Sequence, residues 1–185
     1  VPHGATFPDL VELYYDGPAP MSLSGMSLSD DPQQPARFVF PAGAAMNPGE
    51  YLVLFADSEA GTSEYHLGFG LNNAGDAVYL YDQTGVLIDS VEFGMQLADL
   101  SVGRIGPAGS WHLTVPTFGQ ANLSYPLGDP RVVRINEWLA SDEVLFDSDF
   151  VELHNPHALP VDLGGFYLTD TPETEPALDQ LRPLS

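Results

Sequence analysis

The chain has 185 residues, with 26 acidic side chains against five arginines, no lysine, no cysteine and a net charge of −21. Without cysteine there are no disulfides, thiolate zinc sites or cysteine nucleophiles, and without lysine there is no Schiff base, lysine general base or Lys–Asn isopeptide staple. A surface this negative repels phosphate backbones and anionic lipid heads, so nucleic acid is not an expected partner; no apolar run approaches the roughly 18 residues of a membrane span, so no membrane insertion is expected either.

In chain order, Val11 and Leu13 alternate with Leu10, Glu12 and Tyr14, as on a half-buried strand. DGPAP turns the chain, and residues 21–28 read as a strand pair bent at Gly25. Residues 37–40 are short and β-prone, and a loop with Asn47-Pro48-Gly49 turn chemistry follows. YLVLFA, 51–56, is a continuous apolar strand expected at the centre of a sandwich. After a polar loop and residues 65–71, the turn NNAGD leads into a hairpin of 77–81 and 86–93 around a turn at 82–85. Short strands are expected at 101–104 and 111–114, then a Pro/Gly-rich exit. A linker is expected at 124–131, and VVRINEWLA, with Val132 first and Ala140 last, reads as another strand. With 18 glycines, 17 prolines and no Gly- or Pro-free window carrying a helical apolar stripe, the pattern predicts an antiparallel β-sandwich.

The segment from Asp9 to Pro32 recurs without a gap 140 residues later, from Asp149 to Pro172, with ten of its 24 positions identical. Asp9/Asp149, Val11/Val151, Glu12/Glu152, Leu13/Leu153, Leu23/Leu163, Gly25/Gly165 and Leu28/Leu168 are among them. Such a period implies one folding unit used more than once. Residue 1 corresponds to residue 141 and residue 185 to residue 45, so the chain reads as a piece cut out of register with its domains. The expected organisation is a sandwich over 1–123 lacking its first strand, the linker 124–131, and the N-terminal strands of a second copy over 132–185.

These residues resemble bacterial lamin-tail domains, an immunoglobulin-like β-sandwich family. The matching pieces are INEWLAS at 135–141, DFVELHNP with VDLGGFYLTD, and DLVELYYD with MSLSGMSLSDD. FPAG, NPGEYLVLFAD, GLNNAGDAVYLYDQTGVLIDSVEFG and SVGRIGPAGSWHLTVPTFGQAN continue the match in family order. The resemblance implies an all-β immunoglobulin-like antiparallel sandwich with no catalytic residues, acting as an accessory module of large secreted or surface proteins. It also implies a bacterial, secreted or cell-surface setting. With no heptad rod, the nuclear filament role is not carried over.

Metal chemistry has one main candidate. In SDEVLFDSD, Asp142, Glu143, Asp147 and Asp149 could gather the oxygens calcium needs, although the loop lacks the DxDxDG pattern and is otherwise read as a solvated connection. No other cofactor is expected. Asp30, Asp31 and Asp170 end strands, where carboxylates satisfy turn amides. Glu12 and Glu152 recur within VEL, which suits a strand-edge hydrogen bond or an arginine partner better than a catalytic pair. His154 and His157 have H-x-x-H spacing without a further clustered ligand. Trp111 and Trp138 sit in β-prone segments and are expected to pack in the core or on sheets, with carbohydrate stacking the sharper alternative.

The phase of the repeat yields the main functional expectation. A sandwich without its first strand exposes backbone groups and core, and residues 132–140 are the strand that slot is built for. Insertion from a neighbouring molecule would be strand complementation, leading to self-association or fibres. The chain is thus expected to be a non-catalytic structural or interaction module from a tandem array. The alternative is a calcium- or glycan-binding accessory domain of a secreted enzyme.

Overall fold

A computed structural model describes residues 8–58, 65–106, 109–140, 149–170 and 182–183. The chain divides into two compact units, Val1–Ser124 and Tyr125–Ser185.

In the first unit β1 (Asp9–Tyr15) pairs antiparallel with β6 (Glu50–Ala56) in the register Val11↔Leu54 and Leu13↔Leu52. That register sets Val11, Leu13, Leu52 and Leu54 on one face, and Leu54 and Ala56 are buried there. β2 (Met21–Ser22) pairs with β5 (Ala45–Met46). A four-stranded sheet supplies the other side of the core, in the order β4 (Phe38–Val39), β3 (Ser27–Ser29), β7 (Asp76–Tyr81), β8 (Leu87–Phe93). Leu23, Met26, Leu28, Phe40, Leu54 and Val78 share one cluster with the half-buried Val11, Leu13, Val91 and Phe93. Each fully buried large side chain contributes about 1.5–3 kcal/mol. Phe38, Phe40 and Tyr65 meet edge-to-face at 5.0–6.3 Å, closing one end of this core.

The bend expected at Gly25 is a tight turn: Met26 N donates to Leu23 O at 2.9 Å, and Gly25 takes φ +80°, a conformation that costs any other residue. The β7–β8 turn is organised by Asp82, whose Oδ1 accepts from Thr84 N, Thr84 Oγ1 and Val86 N at 2.7–2.9 Å. Those bonds, Val86's first and then Thr84's, hold its carboxyl below the ordinary value. β8 alternates only in its second half, where Val91 and Phe93 face the core; Leu87 and Ile88 are exposed.

β9 (Ser101–Ile105), β10 (Ser110–Val115) and β11 (Leu123–Ser124) form a separate sheet in the order β11-β10-β9. Thr114 is fully buried in it, its hydroxyl bonded to Ser101 Oγ and donating to Ser101 O.

In the second unit, β12 (Arg134–Leu139) pairs with β13 (Phe150–His154), with a bulge between Ile135 and Glu137. β14 (Tyr167–Leu168) pairs with β15 (Arg182–Pro183). The turn before β14 repeats the earlier one: Phe166 N donates to Leu163 O at 2.9 Å and Gly165 has φ +81°.

One expectation shifts. The strand expected over 132–140 begins only at Arg134, because Pro130–Val132 forms a 3-10 turn capped by Asp129, whose Oδ1 accepts from Arg131 N at 3.0 Å. The segment 51–56 lies in the core of the sandwich as expected, with Leu54 and Ala56 buried. β1 covers one edge of it, and among the described residues its other edge meets the segment at 65–67, where Phe55 N donates to Tyr65 O and Leu67 N to Phe55 O, both at 2.8 Å.

Candidate functional site

The outer edge of β1 is the candidate site. β6 pairs with β1 from Asp9 to Tyr15, and among the described residues no strand lies on the other edge. Such an edge offers a row of N–H and C=O groups to an incoming strand. Asp9 anchors its start, with Oδ2 accepting from Leu71 N at 3.1 Å. At its middle Glu12 accepts from Gly119 N, which ties the turn at 117–120 to β1 across 107 positions of sequence. Partial burial raises the Glu12 carboxyl above its ordinary value, and the Gly119 amide offsets part of that rise. Tyr14, 56% exposed, leans on Tyr51 at 4.6 Å on the same ribbon.

The second unit shows the same strand sequence with a different partner strand. β13 carries the VEL of β1 and pairs with β12 in the register Ile135↔Leu153, Glu137↔Glu152, Trp138↔Val151. Glu137 and Glu152 are like charges placed cross-strand, an unfavourable pairing. The bulge answers it by presenting Asn136, whose Nδ2 donates to Glu152 Oε1. Each VEL glutamate is therefore a hydrogen-bond acceptor, for a backbone amide at Glu12 and a side-chain amide at Glu152.

Of the calcium candidates, Asp142, Glu143 and Asp147 lie outside the described residues. Asp149 is exposed just before β13. Among the described residues no three His, Asp or Glu side chains form a metal-sized group. His154 and His157 are both exposed; His157 N donates to Asn155 Oδ1 at 3.1 Å, a turn contact. Asp31 does what a strand-ending carboxylate was expected to do, accepting from Gln33 N and Gln34 Nε2 at 2.8 Å, while Asp30 pairs with Arg37. Neither tryptophan is core: Trp111 is 41% and Trp138 70% exposed. Trp111 lies under the Arg104 guanidinium at 4.2 Å, and Trp138 borders a shallow hollow with Leu139, Phe150 and Val151.

Two arrangements have no signature in the sequence. Arg104 sits over Trp111, reaches Asp89 at 2.6 Å and donates to Gly109 O at 2.9 Å, pinning β8, β9 and the β9–β10 turn. His66 is buried with Nδ1 2.8 Å from Asp57 Oδ1 and its ring stacked on Phe55. Neither pair has a spacing that marks it, because folding brings the partners together from separate elements.

Antiparallel strands around one core, joined by tight turns, define an immunoglobulin-like β-sandwich. The family model for the lamin tail domain matches residues 1–95, and the chain belongs to that family. No curated protein and no solved structure matches it. The lamin tail domain is a structural, immunoglobulin-like family and is not known as catalytic. No helix among the described residues is long and apolar enough to cross a membrane.

Proposed function

We propose that this chain is a non-catalytic structural and interaction module of a secreted or cell-surface protein, drawn from a tandem array, whose β1 edge accepts a strand of the β12 type. One observation carries the reading: β13, which repeats β1, is paired with β12, whereas among the described residues β1 is paired with β6 alone. Transferring that register places Ile135 opposite Leu13, Trp138 opposite Val11, and the Asn136 amide beside Glu12. The incoming strand adds main-chain hydrogen bonds for affinity and apolar side chains for register.

The test is a synthetic peptide of residues 132–140 added to the whole chain. Saturable binding, abolished by Ile135→Pro in the peptide, is expected; no binding at millimolar peptide overturns the proposal. Deleting residues 132–140 from the chain is expected to change its oligomeric state or stability, and an unchanged result in both counts against strand complementation.

The alternative, a calcium- or glycan-binding accessory domain, draws on the acidic segment ending at Asp149 and on the exposed Trp138. Under that reading EDTA changes particle size in light scattering or lowers Tm, or a glycan quenches Trp138. If none of these occurs, the alternative fails.

A further inference from the structure

The contact that pins β8 to the β9–β10 turn also holds a rigid aromatic ring at the surface. Arg104 and Trp111 are cross-strand neighbours in the β9–β10 pair, and the guanidinium lies 4.2 Å from the indole centroid. The guanidinium is itself fixed by Asp89 Oδ1 at 2.6 Å and by Gly109 O at 2.9 Å. Trp111 nonetheless keeps 41% of its surface exposed, so the stack sets the ring's orientation without covering it. Hydrogen-bonding capacity is left over beside the ring. Asp89 Oδ1 takes Arg104 and the amide of Ser90, whereas Oδ2 has no partner among the described residues. A guanidinium carries five N–H donors, and the described contacts use two of them. Both side chains are about half open to solvent, at 40% and 52%, so a ligand can reach the spare groups.

We infer that Trp111, Arg104 and Asp89 form a binding site for a neutral glycan, with the indole stacking on the C–H face of one pyranose ring. The electron-rich face of the indole attracts the polarised C–H bonds of a sugar but gives little direction. Direction comes from the ion pair: of two vicinal sugar hydroxyls, one accepts from an Arg104 N–H and the other donates to Asp89 Oδ2. Other stacking ligands fit less well. The net charge of −21 repels nucleotides and sulfated or uronate-bearing glycans. A cationic ligand meets Arg104 already on the ring. A purely apolar partner would strip water from the Arg104–Asp89 pair and put no hydrogen bonds in its place. The inference goes beyond strand complementation and does not depend on it, since β8, β9 and β10 supply every group. It also separates the site from Trp138, which has no such ion pair beside it among the described residues.

The experiment is native affinity electrophoresis of the whole chain through gels holding hydroxyethylcellulose, glucomannan, arabinoxylan or soluble starch, with carboxymethylcellulose as the anionic control. Retardation in at least one neutral gel and free migration in the control are expected. Trp111→Ala is expected to abolish the retardation. Asp89→Asn keeps an acceptor for Arg104 but removes the carboxylate from the sugar, and is expected to weaken binding by about threefold or more. In case Trp111→Ala disturbs β10, the Trp138→Phe chain, in which Trp111 is the only emitter, is titrated with the hexasaccharide of the retarding polymer. A saturable change in its emission is expected. Unchanged migration in all four neutral gels overturns the inference, as does retardation that Trp111→Ala leaves intact. Retardation lost in Trp138→Phe but kept in Trp111→Ala places the glycan at Trp138; the accessory-domain alternative then stands and this site falls. Binding of the 132–140 peptide is a separate result that bears on β1 alone.

Discussion

Glu12→Gln isolates the physical chemistry of the β1 edge. The glutamate accepts the Gly119 amide from a partly buried position, and its carboxyl is raised from 4.5 chiefly by desolvation. Glutamine keeps an acceptor for Gly119 and removes the charge that burial penalises. The sign follows from linkage. A raised folded-state value means the folded chain holds its proton longer than the unfolded chain, so stability falls as pH rises from the ordinary value through the raised one. Below that window both states are protonated and the two variants match; above it wild type carries a constant cost. The carboxylate keeps much of its contact with water, so screening holds the gain in Gln to about 0.5–1 kcal/mol at pH 7. Glu12→Ala leaves the exposed Gly119 amide to water and is expected to cost about 0.5–1.5 kcal/mol below that window, and less above it, where losing the charge offsets part of the cost. Urea unfolding of the three chains at intervals from pH 4 to 8 reads all of this. A Gln variant less stable than wild type at pH 7, or a Gln–Glu gap that shrinks as pH rises, refutes the reasoning.

Other outcomes follow from the same structure. Leu54→Ala empties a site with no solvent exposure and is expected to cost about 2–5 kcal/mol in urea unfolding. Gly25→Ala has room for its Cβ, the nearest atom being Gln83 Cγ at 3.5 Å, so its expected cost of roughly 1–2 kcal/mol comes from φ +80° alone; an unchanged Tm contradicts that assignment. Arg104→Lys keeps the charge but loses the planar stack on Trp111, and is expected to cost about 0.5–1 kcal/mol and red-shift Trp111 emission in a Trp138→Phe background. Because every copy carries a net charge of −21, self-association is expected to strengthen as salt rises from 20 to about 500 mM in sedimentation experiments; weakening with salt contradicts strand docking against this repulsion.

The fold was legible where chemistry is local. Val11 and Leu13 alternate, Gly25 and Gly165 mark the same turn, and Asp82 with Gly85 announces the β7–β8 hairpin. Apolar content placed 51–56 in the core, where Leu54 is buried, but hydrophobicity does not count hydrogen-bonded neighbours. Composition places Pro130 in a linker and Val132 in a strand, whereas the Asp129 cap and the fixed proline φ start a 3-10 turn there. The tryptophans show a related limit. Trp138 is the cross-strand neighbour of Val151, the counterpart of the core-packed Val11, yet it is 70% exposed. At the candidate site, the recurrence of VEL exposed the equivalence of β1 and β13, but the bulge that delivers Asn136 to Glu152 has no sequence signature. The Arg104–Trp111–Asp89 pin and the His66–Asp57 pair join residues from different elements, so no local pattern could reveal them.

The most direct test of strand complementation is hydrogen exchange over β1. With the 132–140 peptide bound, backbone amides between Asp9 and Tyr15 that exchange quickly in the free chain are expected to slow by tenfold or more, with β8 and β9 unchanged. Binding that leaves the β1 amides as fast as before would contradict the account.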